Sequence, residues 1–355
     1  MSVTRLLNLN MLMCPPYKVP GYRSATMDRL NALRRSGYKE IDAKRPWLFS
    51  LLNKPEYRRE AVTLLRFAVD TSVPLTEEIN EIRNNDPQAE EFALQLVNSL
   101  ANFTFVRDPL SRRVCRFHLF GIPFYVLQDG AGYMFNEGRP GEDYLDLIYS
   151  DRYYRSCMPR NLGFFDFALA HLSYLYYFER TLGSMMSAAI DKVGFMPSGT
   201  DLLDVGAGLS EVSILMKDAF HFRSVNVLDR NESLRSFWES LGTVGFYSSF
   251  EALRSIRDDF TAVICLSTFE HTVKPMEFLA DLRSVMKKKG ILFMILPETP
   301  TIGPKKALLE HLNHYNKSTI AAALRSASFY PLSIQTLPPL LASSFINMGV
   351  FAWAV

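Results

Sequence analysis

No Cys-x-x-Cys pair occurs in this chain of 355 residues; its four cysteines, Cys14, Cys115, Cys157 and Cys265, are scattered. That excludes the ligand spacing of a common structural zinc site and offers no disulfide framework. The reading is a reduced, cytoplasmic chain. Long apolar runs are missing too. No stretch approaches the roughly 18 consecutive apolar residues that read as a membrane-spanning helix. The apolar residues between Leu6 and Met13 are broken by Asn8 and Asn10 and stop at Cys14-Pro15-Pro16. Neither a span nor a secretory signal is expected there. Charge of one sign is not in excess: 39 Lys and Arg face 37 Asp and Glu, a formal net charge of +2. Such a balance carries no electrostatic footprint for a nucleic-acid partner. Internal repeats are absent, which excludes solenoids and propellers. What remains, 48% hydrophobic and 21% charged residues, is the make-up of a globular protein, long enough for two domains or one with a large extension.

The chain is organised around Asp201-Leu202-Leu203-Asp204-Val205-Gly206-Ala207-Gly208. An apolar run ends in an acid, turns through two glycines and opens into a helical pattern over 211–220. Glycine lets a backbone approach a ligand, and a helix start presents unpaired N–H groups. A second apolar run, Val225-Asn226-Val227-Leu228, ends in Asp229, at the distance expected of a carboxylate that reaches ribose hydroxyls in a doubly wound sheet. A glycine-rich turn without a ligand would look much the same. The turn itself narrows the ligand. A dinucleotide fingerprint places a small residue three positions after the second glycine; this chain has Glu211. Its charge would repel a pyrophosphate near the helix N-terminus. A ligand without phosphates suits the turn better, and S-adenosylmethionine is one. A nicotinamide-dependent oxidoreductase is disfavoured on the same ground.

Further on come the strand-like run Thr261 to Leu266, then Glu270-His271, an amphipathic stretch at 275–286, Lys289-Gly290, and His311-Leu312-Asn313-His314-Tyr315. These segments, in this order, resemble the class I S-adenosylmethionine-dependent methyltransferases, in the small-molecule group with Glu-His after the fourth strand. Asp204 to Gly208 resembles their first motif, Asp229 their second-strand acid, and Lys289-Gly290 the loop before strand five. The segment from His311 to Ile320 is similar to their next motif, and Phe329 fits the aromatic before strand six. Ser210 departs from the usual third glycine, and the loop before strand five lacks its proline and second glycine.

The resemblance covers roughly 196–355. It implies an α/β fold, a seven-stranded, mostly parallel, doubly wound sheet with the last strand antiparallel between strands five and six. Strands are expected at 201–205, 224–229, 243–247, 261–266, 290–296, 330–335 and 346–355, with helices near 211–220, 232–241, 250–257, 275–287 and 316–327. Lys287 to Lys289 is expected as a solvated helix end. Residues 1–195 read as a separate, mainly helical region that would select substrate. Helices are expected at 27–35, 56–70, 76–83 and 87–103. A β-hairpin is expected where Val114 to Phe120 and Phe124 to Leu127 flank Gly121-Ile122-Pro123, within a β-rich insertion near 112–136. Loops are expected at 129–132 and 136–141. The aromatic-rich stretch 164–192 reads as helix, divided near Gly183; its rings either cap the cofactor or fill the core.

The resemblance assigns roles. Gly206, Ala207 and Gly208 would approach the cofactor through backbone, and Asp204 would favour its cationic amino end. Asp229, with Arg230 beside it, would hold the ribose. Ser249 and Phe250 would border the adenine, and Leu266, Ser267 and Thr268 would floor the methionine part. His271 is the candidate general base, because imidazole titrates near neutral pH. Equally, Glu270 and His271 would serve by fixing their loop. His311 and His314 are further candidates at the rim. No acidic cluster is evident, so no metal ligand is assigned. No Asn/Asp-Pro-Pro-aromatic and no Pro-Cys follows the fourth strand, which disfavours nucleic-acid bases as acceptors. The expected acceptor is a hydroxyl or amine on a small molecule. A non-catalytic, methyltransferase-like binding or regulatory protein is the alternative. Oligomeric state is not legible.

Overall fold

The computed structural model describes residues 99, 102–106, 109–119, 122–148, 164–208, 210–256, 259–299, 311–337 and 346–355. The helices expected at 27–35, 56–70 and 76–83, and nearly all of the one at 87–103, lie outside them. Among the described residues no helix is long and apolar enough to cross a membrane.

Seven strands form the main sheet: β6 (Asp201–Val205), β7 (Ser224–Leu228), β8 (Gly245–Tyr247), β9 (Phe260–Leu266), β10 (Met286–Glu298), β12 (Phe329–Thr336) and β13 (Ile346–Ala354), in the order β12-β13-β10-β9-β6-β7-β8. β6 pairs in parallel with both β7 and β9, and β13 runs antiparallel between β10 and β12. This is the sheet the resemblance implies, and its expected strands fall in place. Alternation along the strands explains why helices cover both faces. Leu202, Ile264, Ile291, Phe293 and Ile295 pack into one apolar cluster, with Leu182, Met185 and Leu215 from the helices of that side. Leu203, Val263, Cys265, Leu292, Met294 and Leu296 enter the other, with Leu279, Leu282, Ile320 and Leu324. Successive residues point to opposite faces, and a parallel sheet clad on both sides needs apolar residues at every position. Each such side chain contributes about 1.5–3 kcal/mol by leaving water.

The helices between the strands are α3 (Val212–Phe220), α4 (Arg235–Ser240) after a 3-10 turn at Glu232–Leu234, α5 (Phe250–Arg254), α6 (Pro275–Ser284) and α7 (Lys317–Ser326). α7 starts on a capping box: Asn316 accepts from the Thr319 N–H while the Thr319 hydroxyl reaches back to the Asn316 N–H. α6 ends at Ser284, so Lys287 to Lys289 are the exposed start of β10 and not a helix end.

Before the main sheet come α1 (Glu142–Ile148) and α2 (Phe164–Val193). α2 is unbroken over 30 residues, so the expected division at Gly183 does not occur. Leu182, Met185 and Met186 around Gly183 are fully buried, and their packing outweighs the roughly 1 kcal/mol a mid-helix glycine costs. Tyr177 and Phe178 belong to that core, which settles their role as filling. The expected hairpin is present as β2 (Arg112–Leu119) and β3 (Ile122–Gln128). It extends into a four-stranded sheet, β11-β4-β3-β2, through β4 (Met134–Asn136) and the distant β11 (Asn313–His314). The stretch 136–141, expected as loop, instead ends β4 and carries β5 (Gly138–Arg139), which pairs with β1 (Thr104–Phe105). Strands this short carry no period to read. What matters for the site is β11: it lies directly downstream of His311 and, through Asn313, ties the small sheet to the turn after β9.

Candidate functional site

β6 delivers Asp204 and then turns sharply. Gly206 has φ +70° and Gly208 φ +54°, the left-handed region that glycine enters without strain. At Gly206 a second reason operates: a side chain there would collide with Thr268, whose methyl and hydroxyl fill that space. The turn is held from both sides by groups remote in sequence. The Gly208 N–H donates to Asp229 Oδ2 at 2.9 Å, and its carbonyl accepts from the Trp238 indole N–H at 2.9 Å. Asp229 Oδ1 accepts from the Asn231 N–H at 2.9 Å. Surrounding protein raises the Asp229 carboxyl above its ordinary range, against the pull of these two N–H groups. Asp229 is half-buried. Trp238 escaped the sequence reading, because nothing in an amphipathic helix distinguishes a tryptophan that packs from one that also donates.

Asp204 is buried beneath the turn. Burial pushes its carboxyl up to about 7, helped by the nearby Asp229 charge and opposed by the Ser213 hydroxyl. An acid held near its midpoint ionises readily when a cation arrives beside it. Glu211 stands at the N-cap of α3 without capping it through its side chain, and is itself buried.

Three of the expected cofactor-side residues also make contacts within the chain. Arg230 turns to α1, donating to Glu142 at 3.1 Å and Asp146 at 2.6 Å. The Ser249 hydroxyl caps α5, accepting from the Ala252 N–H. Phe250 is buried edge-on against Phe278. Leu266, Ser267 and Thr268 remain half-buried at the end of β9 beside the glycine turn. Ser267 has φ +49°, uncommon for a residue with a side chain, and its N–H is pinned to the Ile295 carbonyl at 2.7 Å.

Beyond Thr268 the chain makes a single 3-10 turn, Phe269–His271. It brings together the three residues proposed from sequence as catalytic. Ligand atoms of Glu270, His271 and His311 all lie within 4.8 Å of one another. The two imidazoles meet edge to face, ring centres 4.8 Å apart. Glu270 is 2% exposed, and neither carboxylate oxygen has a hydrogen-bond partner among the described residues. Burial pushes its carboxyl up to about 8. His311 is also buried, and burial, with the nearby His271 and His314, holds its imidazole well below the ordinary range. His314 stands apart: it bonds Asn136 Oδ1 at 3.0 Å, and burial with Arg139 nearby lowers it to about 3. It is a structural histidine of β11, not a rim group. The Cys265 thiol is pushed up by burial and by the nearby Glu270 and Asp204.

Asn313 fixes the turn. Its Nδ2 donates to the Thr272 carbonyl at 2.6 Å and to the Glu270 carbonyl at 3.4 Å. Its Oδ1 accepts from the Tyr133 hydroxyl at 2.5 Å and Arg139 Nη1 at 3.1 Å. The small sheet thus holds the backbone of the Glu270 turn. Sequence reasoning missed this network, since Tyr133 and Arg139 lie far upstream in segments without periodicity.

Residues 203–294 match the methyltransferase domain family. No curated protein matches the chain. Among solved structures it is similar to the Burkholderia thailandensis 1,6-didemethyltoxoflavin-N1-methyltransferase, with bound 1,6-didemethyltoxoflavin and S-adenosylhomocysteine, at 17% identity over 48% of this chain and 76% of that one, TM-score 0.38. It is similar to an S-adenosylmethionine-dependent methyltransferase from Aquifex aeolicus at 19% identity over 47% and 89%, TM-score 0.37. A third, from Mesorhizobium loti, shows 13% identity over 47% and 96%, TM-score 0.38.

Proposed function

We propose that the chain is an S-adenosylmethionine-dependent methyltransferase acting on a hydroxyl or amine of a small molecule. The observation that carries this is the glycine turn after β6, clamped by Asp229 and Trp238, inside the segment that matches the methyltransferase domain. When bound, the cofactor would supply a methyl group already activated on a sulfonium. The chain's residues fit it. Gly206 to Gly208 leave room for close backbone approach. Each Asp229 oxygen accepts one N–H and has a second lone pair that ribose hydroxyls would use. Asp204, poised near neutrality, would become anionic beside the cationic amino end. Nothing in the turn offers a phosphate its cationic partner, and Glu211 would repel one.

On the acceptor side the chain's work is to orient the nucleophile, exclude water and receive a proton. His271 is half-buried and faces the cluster, so it is placed to take that proton. Glu270 retains its own proton up to about pH 8, which makes it a poor base at neutral pH. His311, held neutral, would orient His271 edge to face.

The test is formation of S-adenosylhomocysteine across a panel of hydroxyl and amine acceptors. Asp229→Ala should weaken cofactor affinity by about 10- to 100-fold while the protein stays folded. His271→Ala should lower turnover and leave that affinity in place. Cofactor binding with no turnover on any acceptor would favour a non-catalytic binding protein.

A further inference from the structure

We infer that Glu270, His271 and His311 form a binding site for a divalent transition metal. Two observations meet here. Three groups able to ligate, one carboxylate and two imidazoles, converge with ligand atoms within 4.8 Å of one another. Independently, Glu270 is buried with both carboxylate oxygens lacking any hydrogen-bond partner among the described residues. A buried polar group in that state costs about 1–3 kcal/mol, so it needs a reason. A hydrogen-bonded structural carboxylate would show partners; among the described residues those oxygens have none, and His271 Nε2 lies 3.8 Å from Oε1, beyond hydrogen-bond reach. A cation supplies them.

The geometry fits the chemistry. Ligand atoms about 2.0–2.2 Å from a common ion stand roughly 3–3.5 Å apart. The cluster is preformed and slightly wide. Closing it takes a small rotation of His271, the half-buried member. The backbone that carries Glu270 and His271 is already fixed by Asn313, the kind of outer support that metal ligands require. Two imidazoles with one carboxylate suit zinc, manganese, iron or cobalt; an all-oxygen set would suit magnesium or calcium. Three protein ligands leave coordination positions open.

Open positions beside the glycine turn imply a further point, which rests on the methyl-transfer reading above. An acceptor oxygen bound to the ion would be held in line and lose its proton more easily, releasing it to solvent, since His271 as a ligand would no longer serve as the base. That favours a hydroxyl acceptor over an amine, and among hydroxyls those with a second oxygen within chelating reach.

The test is titration of the metal-stripped full chain with Co²⁺, followed by visible absorption and calorimetry, with Mg²⁺ as comparison. The wild type should take up one Co²⁺ at about micromolar Kd or tighter, with d–d bands of a low-symmetry site, and bind Mg²⁺ far more weakly. Glu270→Gln, which keeps the side chain's shape, should weaken Co²⁺ binding about 100-fold, as should His311→Ala. If His311→Ala fails to fold, Glu270→Gln and the half-buried His271→Ala decide. No saturable Co²⁺ uptake by the wild type, or uptake that Glu270→Gln and His271→Ala leave unchanged, overturns the site. S-adenosylmethionine binding is measured on the same stripped protein. Cofactor binding without metal binding sinks the metal site alone, and metal binding without cofactor binding sinks the cradle alone.

Discussion

Two turns at the carboxyl ends of the main strands, after β6 and after β9, are built differently. At the glycine turn the key polar groups are met by the chain itself: the N–H and carbonyl of Gly208 and both oxygens of Asp229 have partners. At the turn after β9 the backbone is equally well held, by Asn313, but the Glu270 carboxyl at its heart has no hydrogen-bond partner among the described residues. At the first turn Gly208 and Asp229 are paired before any ligand arrives, although the buried Ser210 hydroxyl beside them has no hydrogen-bond partner among the described residues. The second is rigid in its main chain and incomplete in its side chains. A site that must present backbone to a common cofactor needs shape; a site that must hold a reacting group needs unsatisfied chemistry. Preorganisation and incompleteness are both forms of preparation.

The contrast can be broken at the cradle first. Gly206→Ala forces a side chain into the space of Thr268 at a φ that disfavours it, and should cost about 2–4 kcal/mol of stability by chemical denaturation. A loss under about 0.5 kcal/mol would mean the turn is not locked as described. A matched pair sharpens the comparison. Trp238→Phe removes one hydrogen bond from Gly208 and should weaken S-adenosylmethionine binding by about 1 kcal/mol, roughly fivefold, with acceptor binding untouched. Asn313→Ala should do the reverse, lowering turnover while cofactor affinity holds. Equal effects of the two variants on both quantities would erase the distinction between the two turns.

The smallest effect is one of pH. In the folded chain Asp204 keeps its proton up to about 7, whereas unfolded it would lose it near 4. Over that window unfolding releases a proton, so the contribution of Asp204 to stability falls as pH rises and is gone above about 7. Between about pH 6 and 7 the wild type should lose about 1 kcal/mol relative to Asp204→Asn, which carries no titrating proton. A pH-independent difference between the two proteins would show that Asp204 is ionised already.

Much of this was legible before folding was considered. β6 falls at 201–205 and the other main strands within a few residues of expectation, because buried parallel strands are continuous apolar runs and their turns are marked by Gly206, Gly208 and Asp229. The meeting of Glu270 with His271 and His311 was legible as a set of candidates but not as a cluster. What stayed hidden has physical reasons. Trp238 reaches Gly208 across 30 residues and Tyr133 reaches Asn313 across 180, and pattern reading sees only local spacing. β4 and β5 are too short to show alternation. Arg230 pairs with α1 and Phe250 packs in the core, contacts that local spacing does not show. Gly183 looked like a break, and packing overrode it.

The most direct measurement is calorimetric titration of the purified chain with S-adenosylmethionine and, separately, with NAD. The account predicts binding of S-adenosylmethionine alone, with a Kd on the order of micromolar. Binding of NAD, or of neither, would contradict it.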